Sequence, residues 1–311
     1  MDFTGFLGND AIKRRLSGAF ASGRVAHSYL LCGPAGSGKH TLARILCAAM
    51  ECEKDGAAVP CGVCPGCRKA LAGIHPDVIT VDDPDHKAMT VDPIRAARSD
   101  MFIRPNEGRR KIYVIPRGQD MNESAQNALL KILEEPPDYG AFLILSTSAG
   151  RLLPTIRSRC AAYTIAPVPA ADCAARLKAE RLPARAAEEL AFLYEGHIGT
   201  ALKSWNDPTA KAALGMAKTL CGYAAQGDTY RALALLTKYE RDRDGFAALL
   251  WTLDQLCSAV LRRPAYGQEQ CGGLTPAGAA KILNADARAR KSLTGNGNLR
   301  LNVAVLAGEI A

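Results

Sequence analysis

Apolar positions along the first half of the chain alternate between two rhythms. From Asn9 to Ala21, Ile12, Leu16 and Phe20 recur at helical spacing, which predicts one amphipathic helix. "HSYLLCG" (27–33) is a short continuous apolar run ending in glycine and predicts a buried strand, while "KHTLARILCAAM" (39–50) returns to the helical period. Further on, "DVITV", "KIYVI" and "AFLILST" each gather four to six apolar or β-branched residues. Helical patterns separate them over Val91–Phe102 and Glu123–Leu133. Strands alternating with helices predict a parallel sheet covered on both faces. "AAYTIAPV" is the expected last strand, and the prolines that close it mark an exit from a first domain at about residue 166.

Beyond that point the two-residue period disappears. Ala170–Trp205 predicts three short helices, and Asn206-Asp207-Pro208 combines a turn signal with a helix start. From there onward only helical periodicity is present, with "RRPAYGQEQCGG" (262–273) expected to be a loop. The expected division is therefore 1–166, 167–207 and 208–311. There is no internal repeat and no low-complexity segment.

Composition adds limits. A chain of 311 residues, 48% hydrophobic and 23% charged, has room for two or three ordinary globular domains. No apolar run approaches membrane-spanning length, and "MDFTGFLGND" lacks the layout of a signal peptide, so a cytoplasmic location is expected. The net charge of +8 permits contact with nucleic acid or an acidic partner without demonstrating either.

Eleven cysteines are unevenly spread, and four of them, Cys52, Cys61, Cys64 and Cys67, follow C-x8-C-x2-C-x2-C. Thiolates at this spacing, in a loop carrying Pro60, Gly62, Pro65 and Gly66, can converge on one tetrahedral ion. Those prolines and glycines argue against the alternative of one helix face of buried thiols. The expectation is a closed, structural Zn²⁺ site within an insert at 52–67. The remaining cysteines, such as Cys47 and Cys257, fall in apolar helical patterns and are expected in the core.

Candidate phosphate chemistry lies in "LLCGPAGSGKHT" (30–41). Gly33, Gly36, Ser37, Gly38 and Lys39 follow a strand and open a helix, where backbone N–H groups and the lysine can cradle a phosphate. His40 then stands where a Ser or Thr hydroxyl would hold Mg²⁺, with Thr41 one position beyond. After "KIYVI" come Pro116 and Arg117, neither able to bind a metal or activate water, and Asp120 is too far along to substitute. ATP or ADP binding is compatible with this loop; hydrolysis is not expected.

Four segments in this order, "AHSYLLCGPAGSGKHTLAR", the cysteine insert, "NALLKILEEPP" and "LLPTIRSRC", resemble the bacterial DNA polymerase III clamp loader subunits, which are AAA+ proteins. The resemblance covers residues 1 to about 165 clearly and the following three helices more loosely. It implies an α/β RecA-like AAA+ domain with a parallel sheet, a small three-helix lid and an all-α collar through which subunits form a hetero-pentamer. ATPase subunits of that family carry a hydroxyl after the loop lysine, acids after the third strand and a sensing arginine in the lid. Here His40, Pro116-Arg117 and Gly199 stand at those positions. These departures look like the stator-like member that does not hydrolyse ATP but offers the arginine of its "SRC" motif, here Arg159, to the ATP of an adjacent subunit. The implied partners are ATPase subunits of gamma/tau type and a delta subunit, with the sliding clamp and primed DNA reached through the complex. Two rival readings are a gamma/tau-type motor subunit and a zinc-containing nucleic-acid-binding module. The first needs the missing hydroxyl and acids; the second predicts tight DNA binding by the chain alone.

Overall fold

Five short runs of apolar and β-branched residues form the strands β1 (Ser28–Cys32), β2 (Val78–Thr80), β3 (Lys111–Ile115), β4 (Gly140–Ser146) and β5 (Ala161–Thr164). They pair in parallel in the order β2-β3-β4-β1-β5, with Leu30 of β1 opposite Ile144 on one side and Ala162 on the other. The computed structural model describes residues 1–54, 56, 58–86, 88–295 and 297–310. Every residue of β1 and β4 is buried, the condition that makes a parallel strand read as a continuous apolar stretch.

Alternate strand residues feed two cores. On one face, Tyr29, Leu31, Leu143 and Leu145 meet Leu16 of α1 (Asp10–Ala21) and Leu42 and Leu46 of α2 (Lys39–Met50). On the other, Leu30, Tyr113, Phe142 and Ile144 meet Ile94 and Met101 of α4 (Val91–Met101) and Leu129 and Ile132 of α5 (Glu123–Glu134). Each such large side chain contributes about 1.5–3 kcal/mol on burial. A short helix α3 (Pro65–Ala72) begins within the insert, and α6 (Pro154–Ser158) precedes β5. The α/β layering expected from the alternating rhythms is present, and element bounds shift by only a few residues. Because β1 is an interior strand, between β4 and β5, the turn leaving its C-terminal end opens at the carboxyl ends of the strands, where parallel sheets bind ligands.

The chain divides into two compact units. One contains Met1–Cys173 and Gly196–Gly199; the other contains Ala174–Glu195 and the chain from Thr200 onward. Three helices, α7 (Ala170–Ala179), α8 (Ala184–Leu193) and α9 (Ile198–Asn206), occupy the stretch expected to hold three. Asp207 caps α10 (Pro208–Gln226) by accepting from the Thr209 N–H at 2.9 Å, with Pro208 in its first turn. Then come α11 (Thr229–Leu236), α12 (Arg243–Arg262), α13 (Pro264–Gln270), α14 (Pro276–Thr294) and α15 (Leu299–Ile310). Phe246, Leu249, Leu253, Leu256 and Val260 bury one stripe of α12. Among the described residues no helix is long and apolar enough to cross a membrane.

One expectation fails here. The stretch 262–273 is not a loop, because α13 occupies its middle. Pro264 starts the helix, and Tyr266, 1% exposed, anchors it in the core. A helix of seven residues with one large apolar side chain is too short to show a period, so only its tertiary burial reveals it.

Candidate functional site

The glycine-rich turn joins β1 to α2. Gly38 caps α2 at φ 97°, and a side chain there would meet the Phe6 ring at 3.3 Å. No side chain caps the helix start, and the Ser37 hydroxyl is buried without a partner. An uncapped helix N-terminus beside an orphaned hydroxyl fits a phosphate group. Lys39 is turned inward, however: its Nζ donates to the Gly33 carbonyl at 2.6 Å and the Pro34 carbonyl at 2.8 Å. Burial pushes its ammonium down from its usual range, with the Cys32 thiol opposing. Gly199 closes over the turn, its N–H donating to the Gly36 carbonyl at 3.0 Å. A Cβ at Gly199 would lie 2.8 Å from the Gly36 Cα, so no side chain fits there without moving the loop.

The residues around the turn do not fit a catalytic metal. Desolvation, then the charges of Lys39 and Arg44, holds the His40 imidazolium below its usual range, and an imidazole nitrogen is a poor partner for a hard cation. Past β3, Arg117 folds across to the loop after β2. Its Nε donates to Asp82 Oδ1 at 2.8 Å, and its NH2 to the Asp83 carbonyl at 2.5 Å. Asp120 accepts from Gln119 at 3.0 Å and lies 4.0 Å from the Arg117 guanidinium. Asp83 is held by Thr90 and His86, which bring its carboxyl down to about 2. Asp82, Asp83 and Asp120 are thus bonded to other groups, and a cation occupies the turn after β3.

The four clustered cysteines do converge. One sulfur from each of Cys52, Cys61, Cys64 and Cys67 lies within 4.8 Å of every other. Zinc–thiolate bonds of ~2.3 Å put sulfurs roughly 3.8 Å apart, and Cys61 and Cys67 already stand at 3.9 Å. The Cys64 and Val63 N–H groups bring the Cys61 thiol down to about 6, while burial pushes Cys67 well up. The donor set is all sulfur and capable of coordinating a metal ion. The loop expected through the whole cluster gives way at Cys64, which caps α3 by accepting from the Cys67 N–H at 3.4 Å. Pro65 at the first helical position, where its missing N–H costs nothing, explains why the helix begins there. Cys67 Sγ in turn donates to the Ala48 carbonyl of α2 at 3.3 Å, tying the insert to the helix that the phosphate turn opens.

Arg159 ends α6. Its NH1 donates to the Thr155 carbonyl at 3.1 Å, and its NH2 pairs with Glu134 Oε1 at 2.8 Å. The arginine side chain remains 36% exposed and the glutamate 49%. Arg157 is exposed on the same short helix, and its charge reaches the Cys32 thiol. Cys160 packs against the core, its thiol pushed up to about 12 by burial. Two groups escaped the sequence reading: Asp82, which takes Arg117, and Glu134, which takes Arg159. Glu134 was visible inside "NALLKILEEPP", but nothing in one dimension pairs it with a residue on another helix.

A family model described as DNA polymerase III, delta subunit, matches residues 8–169. The DNA polymerase III subunit delta' of Pseudomonas aeruginosa is 39% identical over 180 residues, 57% of this chain and 55% of that protein. The DNA polymerase III subunit gamma/tau of Mycobacterium bovis is 38% identical over 160 residues, 50% of this chain and 27% of that protein. The matches therefore span about half or less of these relatives' own lengths. A solved DNA polymerase III gamma subunit-related protein from Thermotoga maritima aligns over 97% of this chain and 99% of its own. Its 16% identity and TM-score of 0.49 are too loose to carry an argument.

Proposed function

The chain belongs to the DNA polymerase III delta-subunit family, with an AAA+-type fold, and we propose that it is the delta-prime, stator-like subunit of a clamp loader. In this reading it helps load the sliding clamp onto primed DNA, offers Arg159 to the ATP of a neighbouring subunit and hydrolyses none itself. The observation that carries it is the Arg117 guanidinium in the turn after β3, bonded to Asp82, where an ATPase needs acids to hold metal and water. Arg159, exposed at a helix end, supports the second half. A guanidinium offers fixed charge and a planar fork suited to phosphate oxygens.

The remaining assignments follow from the same reading. Cys52, Cys61, Cys64 and Cys67 hold a structural Zn²⁺, which supplies a cross-link and no reaction chemistry. Gly33, Gly36, Ser37, Gly38 and Lys39 are a retained phosphate cradle that takes ATP or ADP only when Lys39 leaves the carbonyls of its own turn, beside His40 and Thr41, which supply no catalytic metal. Residues 167–207 serve as lid and 208–311 as collar, meeting gamma/tau-type ATPase subunits and a delta subunit in a hetero-pentamer at the cytoplasmic replisome. Co-expression with those subunits, followed by size-exclusion chromatography and ATPase assay, tests the proposal. A stable complex and no turnover by the isolated chain are expected. Hydrolysis by the isolated chain that disappears in Lys39→Ala would overturn it.

A further inference from the structure

Glu134 and Arg159 come from two different helix ends that the sheet brings together. Pro136 and Pro137 follow α5, and the residue before a proline is pushed out of the helical region. Glu135 accordingly leaves the helix at φ −135°, while Glu134 stays on its last turn. That one-residue difference decides which of two adjacent carboxylates reaches Arg159: Glu134 does, at 2.8 Å.

We propose that Glu134 is a positioning residue for Arg159, fixing the plane of its guanidinium at the edge of the domain. The proposal rests on the reading of Arg159 as an arginine acting in trans. A guanidinium carries five N–H donors. The Thr155 carbonyl takes one through NH1 and Glu134 takes another through NH2, so two contacts define the orientation and three donors are left for a phosphate. Only Glu134 brings charge, which makes its bond the stronger of the two. The pair is roughly half exposed, so it adds little to folding stability. Its effect lies in restricting a side chain with many rotamers before the neighbour arrives. Losing such restriction lowers the fraction of correctly aimed arginine by about 3- to 10-fold.

The test uses the reconstituted clamp loader with primed DNA, reading kcat and KM for ATP. Glu134→Ala is expected to lower turnover at the ATP site that meets Arg159 by about 3- to 10-fold with KM held, and the complex's kcat by a smaller factor because other sites contribute, since the arginine acts on charge in the transition state. Glu134→Gln, whose amide oxygen still accepts, recovers most of the loss, and Glu135→Ala changes nothing. Added to Arg159→Ala, the Glu134→Ala substitution lowers kcat no further. Should Glu134→Ala fail to assemble, Glu134→Asp, which keeps the charge but withdraws it by one methylene, is expected to show the same fall in kcat. Full turnover with Glu134→Ala while Arg159→Ala is impaired would overturn the positioning role and leave the arginine reading standing. Full turnover with Arg159→Ala would remove both. An additive double variant would also overturn the coupling.

Discussion

Lys39 opens α2 and Arg159 closes α6, and the proposed function gives both a phosphate to meet. The lysine is 6% exposed and donates to two carbonyls of its own turn, with Gly199 laid over the top. The arginine is 36% exposed and held by a surface carboxylate and a carbonyl that leave three of its N–H donors open to an incoming anion. The first cation is committed within the chain; the second is available beyond it. A motif names a residue type at a position, whereas its use depends on which acceptors the fold leaves beside it.

The sharpest way to break this contrast is Arg159→Ala in the reconstituted complex. Turnover at the ATP site that depends on it should fall by about 10³-fold, with a smaller fall in the total because other sites contribute. Lys39→Ala in the same complex should change turnover by less than about twofold. Steady-state ATPase measurements decide the matter: if Lys39→Ala proves the more damaging, the assignments of the two cations are reversed.

Next in size is the cysteine cluster, which anchors the far end of α2 through Cys67 and the Ala48 carbonyl. Cys64→Ser should take zinc from one per chain to near zero. It should cost about 2–4 kcal/mol, the scale of losing a covalent cross-link. Metal analysis and denaturant unfolding read the two effects. Undiminished zinc would remove the cross-link from the account of how the phosphate turn is braced.

The smallest expected effect sharpens the sealed side. Gly199→Ala places a methyl carbon 2.8 Å from the Gly36 Cα and should destabilise the first unit by about 1–3 kcal/mol. A midpoint of unfolding that stays in place would mean that the turn opens easily and that Lys39 is less committed than its contacts suggest.

The elements of the first unit were legible because β1 and β4 are buried on both faces, β3 nearly so, and the flanking helices bury one face. The residues that line those surfaces repeat at periods a single sequence displays. The insert was legible for a related reason: thiols at two-residue spacing beside Pro65 converge locally, through one turn and the start of α3. By contrast, α13 carries its signal in the burial of Tyr266 by residues distant in the chain, and no period could announce it.

The linear order of residues by itself determined the alternating strands and helices, the glycine turn, the four thiols, and the presence of His40 after the turn's lysine and of Pro116 and Arg117 after β3. These follow from local periods, backbone freedom and side-chain chemistry at fixed spacing. Only the tertiary structure decided the partners: Arg117 with Asp82, Gly199 against Gly36, and Arg159 with Glu134 rather than Glu135. Each of those contacts joins segments that strand pairing and helix packing bring within a few ångströms, and hydrogen bonding and charge act over that distance rather than over sequence separation.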